Sequence, residues 1–163
     1  MNDSEIVVGI ISDTHGLVRP QALDALRGSK LIIHAGDIGN LDVIHQLRAV
    51  APTIAVRGNV DTQAWAADFP VTEAVKIGQL VFWVLHDIAQ LDLDPLAAGF
   101  AAIVFGHSHQ PSIETREGVL CINPGSAGPR RFKRDGSSGG GHGWRHPAGD
   151  RQYRCLRRAV GER

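Results

Sequence analysis

Cysteine is almost missing from this chain: Cys121 and Cys155 are the only two, and neither stands in a Cys-x-x-Cys pair. That excludes a disulfide framework and a zinc ribbon as organising elements, and both residues are read as ordinary thiols. Long hydrophobic runs are missing as well; no uninterrupted apolar stretch approaches the roughly 20 residues that a membrane span needs. The first residues carry Asp3 and Glu5 in place of a basic start, so no signal peptide or anchor is expected and a cytoplasmic location is. Net charge is missing too, because 17 Lys and Arg balance 17 Asp and Glu. The balance hides an asymmetry. Residues 1–129 hold 7 basic against 14 acidic residues, whereas residues 130–163 hold 10 against 3. An acidic body argues against a broad nucleic-acid footprint on the domain itself.

What is present is enough for one core: 163 residues, 43% of them apolar. The expected organisation is one catalytic domain over residues 1–132, followed by a Gly/Arg-rich basic tail over 133–163. The tail runs through Ser137, Ser138 and three successive glycines with almost no apolar periodicity, which predicts disorder. His142 and His146 are assigned to that tail rather than to a metal site. Trp144 and Tyr153 lie among basic residues and give weak support for base stacking, so nucleic acid is expected as a partner only through the tail.

Along the domain, Glu5 to Ser12, Leu31 to Ala35 and Thr53 to Val56 are short apolar runs rich in β-branched residues. They read as buried parallel strands. Pro20 to Leu26 and Leu41 to Ala49 show helical spacing between them, with Pro20 suited to a first turn and Asn40 to an N-cap. The alternation predicts a parallel sheet with right-handed crossovers. A second, antiparallel set is expected from Ala74 to Ile77 and Leu80 to Leu85 around Gly78-Gln79, and from Ser112 to Thr115 and Val119 to Ile122 around Glu117-Gly118. A helix over Leu91 to Ala98 and a strand over Ala101 to Phe105 complete the reading.

Polar residues with metal-ligand chemistry recur where these strands end. They are Asp13, His15, Asp37, Asn59, His86, His107 and His109. A mixed oxygen and imidazole set suits first-row transition metals such as Mn, Fe, Ni and Zn. Each motif alone is weak, since an Asp after a strand is most often a turn former. The ordered set is not weak. Asp37 lies between Gly36 and Gly39 and is the candidate bridging ligand, because two cations about 3.5 to 4 Å apart can clamp a phosphoryl transfer. Asn59 offers a neutral oxygen. His86 emerges from an apolar run and needs a partner. Gly106-His107-Ser108-His109 presents two imidazoles from one loop and is the most specific piece. His34 reads as a core residue and Asp61 as a cap or an orienting group. Arg19, Arg57 and Arg130 are candidates for phosphate contact.

In order, Asp13-x-His15, Gly36-Asp37, Gly58-Asn59-x-Asp61, His86, Gly106-His107-x-His109 and Asn123-Pro124-Gly125-Ser126 resemble the calcineurin-like metallophosphoesterase superfamily, especially its small prokaryotic phosphodiesterase branch. The resemblance covers roughly residues 5–132. It implies an α/β, four-layer αββα sandwich of two mixed β-sheets and two divalent metal ions, Mn2+ foremost, with Ni2+, Fe2+, Co2+ and Zn2+ as alternatives. Asp13, His15 and His109 would hold the first ion and Asn59, His86 and His107 the second, with Asp37 bridging. The implied reaction is hydrolysis of a small phosphate-ester substrate, most naturally a diester, by a metal-bridging hydroxide. Asp37, Asn59 and His86 would then act through the metals. The rival implication is a protein-interaction scaffold of the same fold, as in a retromer coat subunit. Self-association is compatible with either, and a membrane partner with neither.

Three departures from the family pattern bear on function. Val60 stands where many members have a His that resembles a general acid, so good leaving groups are expected to be favoured. Asp87 stands where relatives commonly have Gly and adds negative charge beside the site if it points inward. After Pro129 and Arg130 the chain enters its tail where relatives continue with an apolar strand, which predicts an open sheet edge.

Overall fold

The computed structural model describes residues 6–129 together with the backbone of residues 154–155. The first half alternates strands and helices: β1 (Val8–Ile11), α1 (Pro20–Leu26), β2 (Leu31–His34), α2 (Leu41–Arg48) and β3 (Thr53–Ala55). The second half is dominated by strands: β4 (Thr72–Ile77), β5 (Leu80–Leu85), β6 (Ala102–Val104), β7 (Ser112–Arg116) and β8 (Val119–Asn123). A two-residue strand, β9 (Arg154–Cys155), closes the order.

Local chemistry explains most of these boundaries. Pro20 occupies the first turn of α1, where no backbone donor is needed. The Asn40 side chain accepts from Val43 N at 3.2 Å and so caps α2. Gly78 turns the β4–β5 hairpin at φ +60°, and Glu117 with Gly118 turns the β7–β8 hairpin at +50° and +85°. Two successive positive φ angles match the right-handed twist of the strands they join.

The strands form two sheets in the orders β3-β2-β1-β9 and β4-β5-β6-β8-β7. In the first, β1 pairs parallel with β2 and β2 with β3, while β9 pairs antiparallel with β1 at Val8 and Gly9. In the second, β4–β5 and β7–β8 are antiparallel hairpins joined through β6, which runs parallel to both β5 and β8. Both expected hairpins are antiparallel, and the sheet as a whole is mixed, as the family resemblance implies. β6 follows a crossover rather than a tight turn, and a crossover permits parallel pairing.

Three apolar clusters define the layers. Ile10, Ile33, Val56, Val75, Phe82, Val84, Val104 and Ile122 fill the space between the sheets. Ile11, Leu26, Ile32, Ile44 and Leu47 join α1 and α2 to the outer face of the first sheet. On the outer face of the second sheet, Leu85, Ile103, Phe105 and Val119 meet Trp83, Ile88, Leu91 and Phe100. Both sheets are mixed and the four layers are present, but the outermost one over the second sheet is not the expected helix over Leu91 to Ala98. That segment holds a 3-10 turn at Ile88–Gln90 and then a single turn closed by Ala98 N to Asp94 O and Phe100 N to Pro95 O. Asp94 Oδ1 accepts from Leu96 N and Ala97 N, Pro95 opens the turn, and Gly99 ends it at φ +78°. A start and a stop only four residues apart leave room for one turn and no more.

The domain division at residue 132 and the reading of the tail fall mostly outside the described residues. One part can be compared: Arg154–Cys155 lies against the edge of β1 where an open edge was expected. Among the described residues, no helix is long and apolar enough to cross a membrane.

Candidate metal centre

β1, β2, β3, β5 and β6 each end in a loop that carries one or two of the candidate ligands, as expected for an open α/β sheet, in which sites gather at the carboxyl ends of strands. The loops are sharply bent. Asp13, His15, Asp37, His107 and His109 all have positive φ, between +47° and +69°. Asp and His tolerate the left-handed region better than most residues, yet it remains costly.

The seven side chains converge. His109 Nε2 lies 3.2 Å from Asp13 Oδ1, and His86 Nε2 lies 3.3 Å from Asp37 Oδ2 and 3.9 Å from Asp13 Oδ1. His15 Nε2 is 3.8 Å from Asp37 Oδ2 and 3.3 Å from His109 Nε2. On the other flank His107 Nδ1 is 3.1 Å from Asn59 Oδ1, and the His86 and His107 rings meet edge to face at 5.2 Å. Asp37 therefore stands between the His15 side and the His86 side.

The carboxylates are oriented by groups that leave one oxygen of each facing inward. Asp13 Oδ2 accepts from Ser12 Oγ at 2.6 Å and His107 N at 3.1 Å, while its Oδ1 is buried without a hydrogen-bond partner among the described residues. Asp37 Oδ1 accepts from Val60 N at 3.1 Å, which leaves Oδ2 toward the imidazoles. His86 is fixed in the same way. Its Nδ1–H donates to the Ala35 carbonyl at 2.8 Å, and its buried Nε2 has no hydrogen-bond partner among the described residues. A ring nitrogen bonded to a carbonyl sets the opposite nitrogen as a lone-pair donor, the usual arrangement behind a metal-bound His.

These observations fit divalent cations. Donors about 2.0 to 2.2 Å from one ion lie about 3 to 4 Å from each other, the range of the separations above. Asp13, His15, Asp37 and His109 each offer an atom within 4.8 Å of the other three. Leaving Asp13 Oδ1 and His86 Nε2 without a hydrogen bond in a buried site is expensive, and a cation between them removes the cost. Asp37 and His86 also favour each other's charge. Burial pushes the Asp37 carboxyl up, but the His86 imidazole 3.3 Å away, the hydrogen bond from Val60 N and the charge of His15 outweigh it and its pKa is lowered. Burial likewise depresses His86, and the nearby Asp37 carboxylate with the bond to the Ala35 carbonyl reverses the sign.

Glycine supplies the space. A Cβ on Gly58 would collide with Asp37 Oδ1 and Asp37 N, and one on Gly106 would collide with Ser12 Oγ and stand 2.5 Å from Asp13 Oδ2.

The remaining sequence assignments divide. Asp61 orients neighbours: its carboxylate accepts from Ile38 N, Gly39 N and Gly58 N and ties two ligand loops together. His34 is fully buried in the core beneath the site. Arg19 donates to the Gly128 carbonyl at 2.7 Å, Arg57 lines a cavity beside Asn59, and Arg130 lies outside the described residues. Asp87 does point inward, with Oδ2 3.9 Å from His107 Nε2 and Oδ1 accepting from Ala89 N. Sequence reasoning missed Ser12 and the Ala35 carbonyl. A Ser just before a ligand Asp is a usable signal, whereas a backbone carbonyl carries none.

The calcineurin-like phosphoesterase superfamily domain matches residues 6–139. The chain belongs to that superfamily. It is 34% identical over 133 residues to a probable metallophosphoesterase of Methanothermobacter thermautotrophicus, covering 74% of this chain and 77% of that protein. Among solved structures it is similar to an archaeal phosphodiesterase, with TM-score 0.59, 26% identity and 74% and 84% of the two chains covered. The same fold recurs in vacuolar protein sorting 29 of Cryptosporidium parvum, with TM-score 0.67, 20% identity and 77% of each chain covered.

Proposed function

We propose that this member of the superfamily is a metal-dependent phosphodiesterase that uses two divalent cations, preferably Mn2+, in the cytoplasm. Asp13, His15 and His109 would hold one ion, Asn59, His86 and His107 the other, and Asp37 both. The observation that carries the reading is the pair of buried atoms Asp13 Oδ1 and His86 Nε2, without hydrogen bonds among the described residues and 3.9 Å apart, with His109 Nε2 and Asp37 Oδ2 close around them. When bound, such ions lower the pKa of water and neutralise charge on phosphoryl oxygens. The chain's own residues do the rest. Asp61 holds the loops that carry Asp37 and Asn59 in one geometry. Ser12 and His107 N turn Asp13 inward.

No side chain is placed to protonate the leaving group from the loop after β3, because Val60 contributes only its backbone N–H, to Asp37. That favours diesters with acidic leaving groups over alkyl monoesters. The likeness to vacuolar protein sorting 29 supports a second reading, a scaffold of the same fold. The complete donor set favours the enzyme. Hydrolysis of bis(p-nitrophenyl) phosphate by metal-stripped protein, before and after Mn2+ is restored and with Asp37→Asn as control, separates them. Metal-restored turnover lost in the variant supports the enzyme, and folded, Mn2+-loaded protein without turnover supports the scaffold.

A further inference from the structure

A cavity of about 520 Å3 opens beside only one flank of the centre. Asn59, His86 and His107 line it, whereas Asp13, His15 and His109 do not. Its volume lies in the range of small-molecule pockets. His86 contributes a side chain only 6% exposed, whose Nε2 has no hydrogen-bond partner among the described residues.

The lining of this cavity carries both signs of charge. Arg57 lines it together with Gly58 and Asn59. β5 and the segment after it contribute Trp83, Asp87 and Asp92 to the same lining, with Asp87 Oδ2 3.9 Å from His107 Nε2. Not one Lys or Arg occurs between Lys76 and Arg116. Among the described residues Arg57 forms no ion pair with Asp87 or Asp92, so the two signs are not cancelled across the pocket. The Asp87 carboxylate is held in place by Ala89 N, and Trp83 is braced by Phe100, the rings stacked at 5.1 Å and 17°.

An anionic ester entering this pocket meets a guanidinium from the loop after β3, and two carboxylates with an indole from β5 and the segment after it. Carboxylates repel a second negative charge on the ester, and carboxylates with an indole face attract an ammonium group. We propose that the cavity is the subsite for the organic substituent of a zwitterionic phosphodiester, one with an amine or quaternary ammonium group a few bonds from phosphorus. This deepens the phosphodiesterase reading and rests on it. Arg57 takes the phosphate, and Asp87 and Asp92 select the cation.

Two isosteric probes isolate the charge: p-nitrophenyl phosphorylcholine, and the p-nitrophenyl phosphate ester of 3,3-dimethylbutanol, in which carbon replaces the ammonium nitrogen. With full-length, Mn2+-loaded protein, kcat/KM is expected to favour the cationic probe about fivefold. The ratio is expected to fall toward one in Asp87→Asn, in Asp92→Asn and at high salt. Calorimetric titration with phosphocholine and with 3,3-dimethylbutyl phosphate reads the same preference without turnover. Where Asp87→Asn fails to fold, Asp92→Asn carries the comparison. Equal or inverted preference, a preference that both variants retain, or no binding of either ligand overturns the subsite, even where bis(p-nitrophenyl) phosphate is hydrolysed. A charge-dependent binding preference in protein that hydrolyses nothing upholds the subsite and overturns the phosphodiesterase reading.

Discussion

His34 Nε2 lies 2.9 Å from Thr14 Oγ1 in a fully buried contact that joins the two loops on either side of the centre. Gly36 N donates to His34 Nδ1 at 3.1 Å, and Thr14 Oγ1 donates to the Ile38 carbonyl at 2.9 Å. With those donors fixed, the ring must carry its proton on Nε2 and remain neutral. Burial, with the charges of His86 and His15, lowers its pKa from 6.5 to about 3, against a smaller opposite pull from Asp37. Between those values the unfolded chain takes up a proton that the folded chain refuses. His34 therefore contributes stability that is complete above about pH 6.5 and is lost as the pH falls toward 3, by about 1.4 kcal/mol per pH unit. Urea unfolding of the protein and of His34→Gln at several pH values checks this: the variant should show the shallower dependence, and parallel curves would remove His34 from the account.

Divalent cations should stabilise the fold through the same loops. A ligand present at 100 times its Kd adds about 2.7 kcal/mol. Mn2+ is thus expected to raise the Tm of the wild-type chain, and Asp13→Asn should reduce the gain because the inward oxygen becomes neutral or is replaced by a donor. Differential scanning calorimetry with and without Mn2+ reads both, together with metal content by emission spectrometry. An equal gain in the variant would place the cation elsewhere.

Val60 is 40% exposed beside Asn59 and has no proton to give from its side chain. Rates on a series of aryl diesters should therefore depend steeply on leaving-group pKa. Val60→His should flatten that dependence and speed the poorest leaving groups by about 10²-fold, the lower range for a positioned general acid. A flat dependence in the wild-type chain would mean that another group already donates.

Gly58→Ala tests how much room Asp37 needs. The added methyl overlaps the Asp37 carboxylate and backbone, so a displacement costing about 1 to 3 kcal/mol is expected. Metal affinity should fall with it. Retention of both the wild-type Tm and two bound ions would show that the loop yields freely.

The parts of the fold legible in the sequence were those with local causes. α1 and α2 begin where Pro20 and Asn40 place them, and β5 spans the run Leu80 to Leu85. The segment over Leu91 to Ala98 was misread because its apolar spacing is helical while Pro95 and Gly99 confine it to one turn. The direction of β6 was not legible either, since its partners β5 and β8 are set by packing over long chain separations. At the site, the identities of the seven candidate ligands stood out because strand ends collect them. Their orientation did not, because beyond the Ser12 hydroxyl it depends on Val60 N and the Ala35 carbonyl, backbone groups that every chain carries.

The left-handed backbone at Asp13, His15, Asp37, His107 and His109 restricts the substitutions these loops accept without changing shape. Left-handed geometry costs an ordinary L-residue roughly 1 to 2 kcal/mol, and Gly, Asn and Asp bear it most easily. Asn or Gly at these positions therefore removes the carboxylate of Asp13 or Asp37, or the imidazole of His15, His107 or His109, while preserving the bend. Ligand loss and loop shape are separable, and a lineage can surrender its catalysis while keeping the surface those loops present to other molecules.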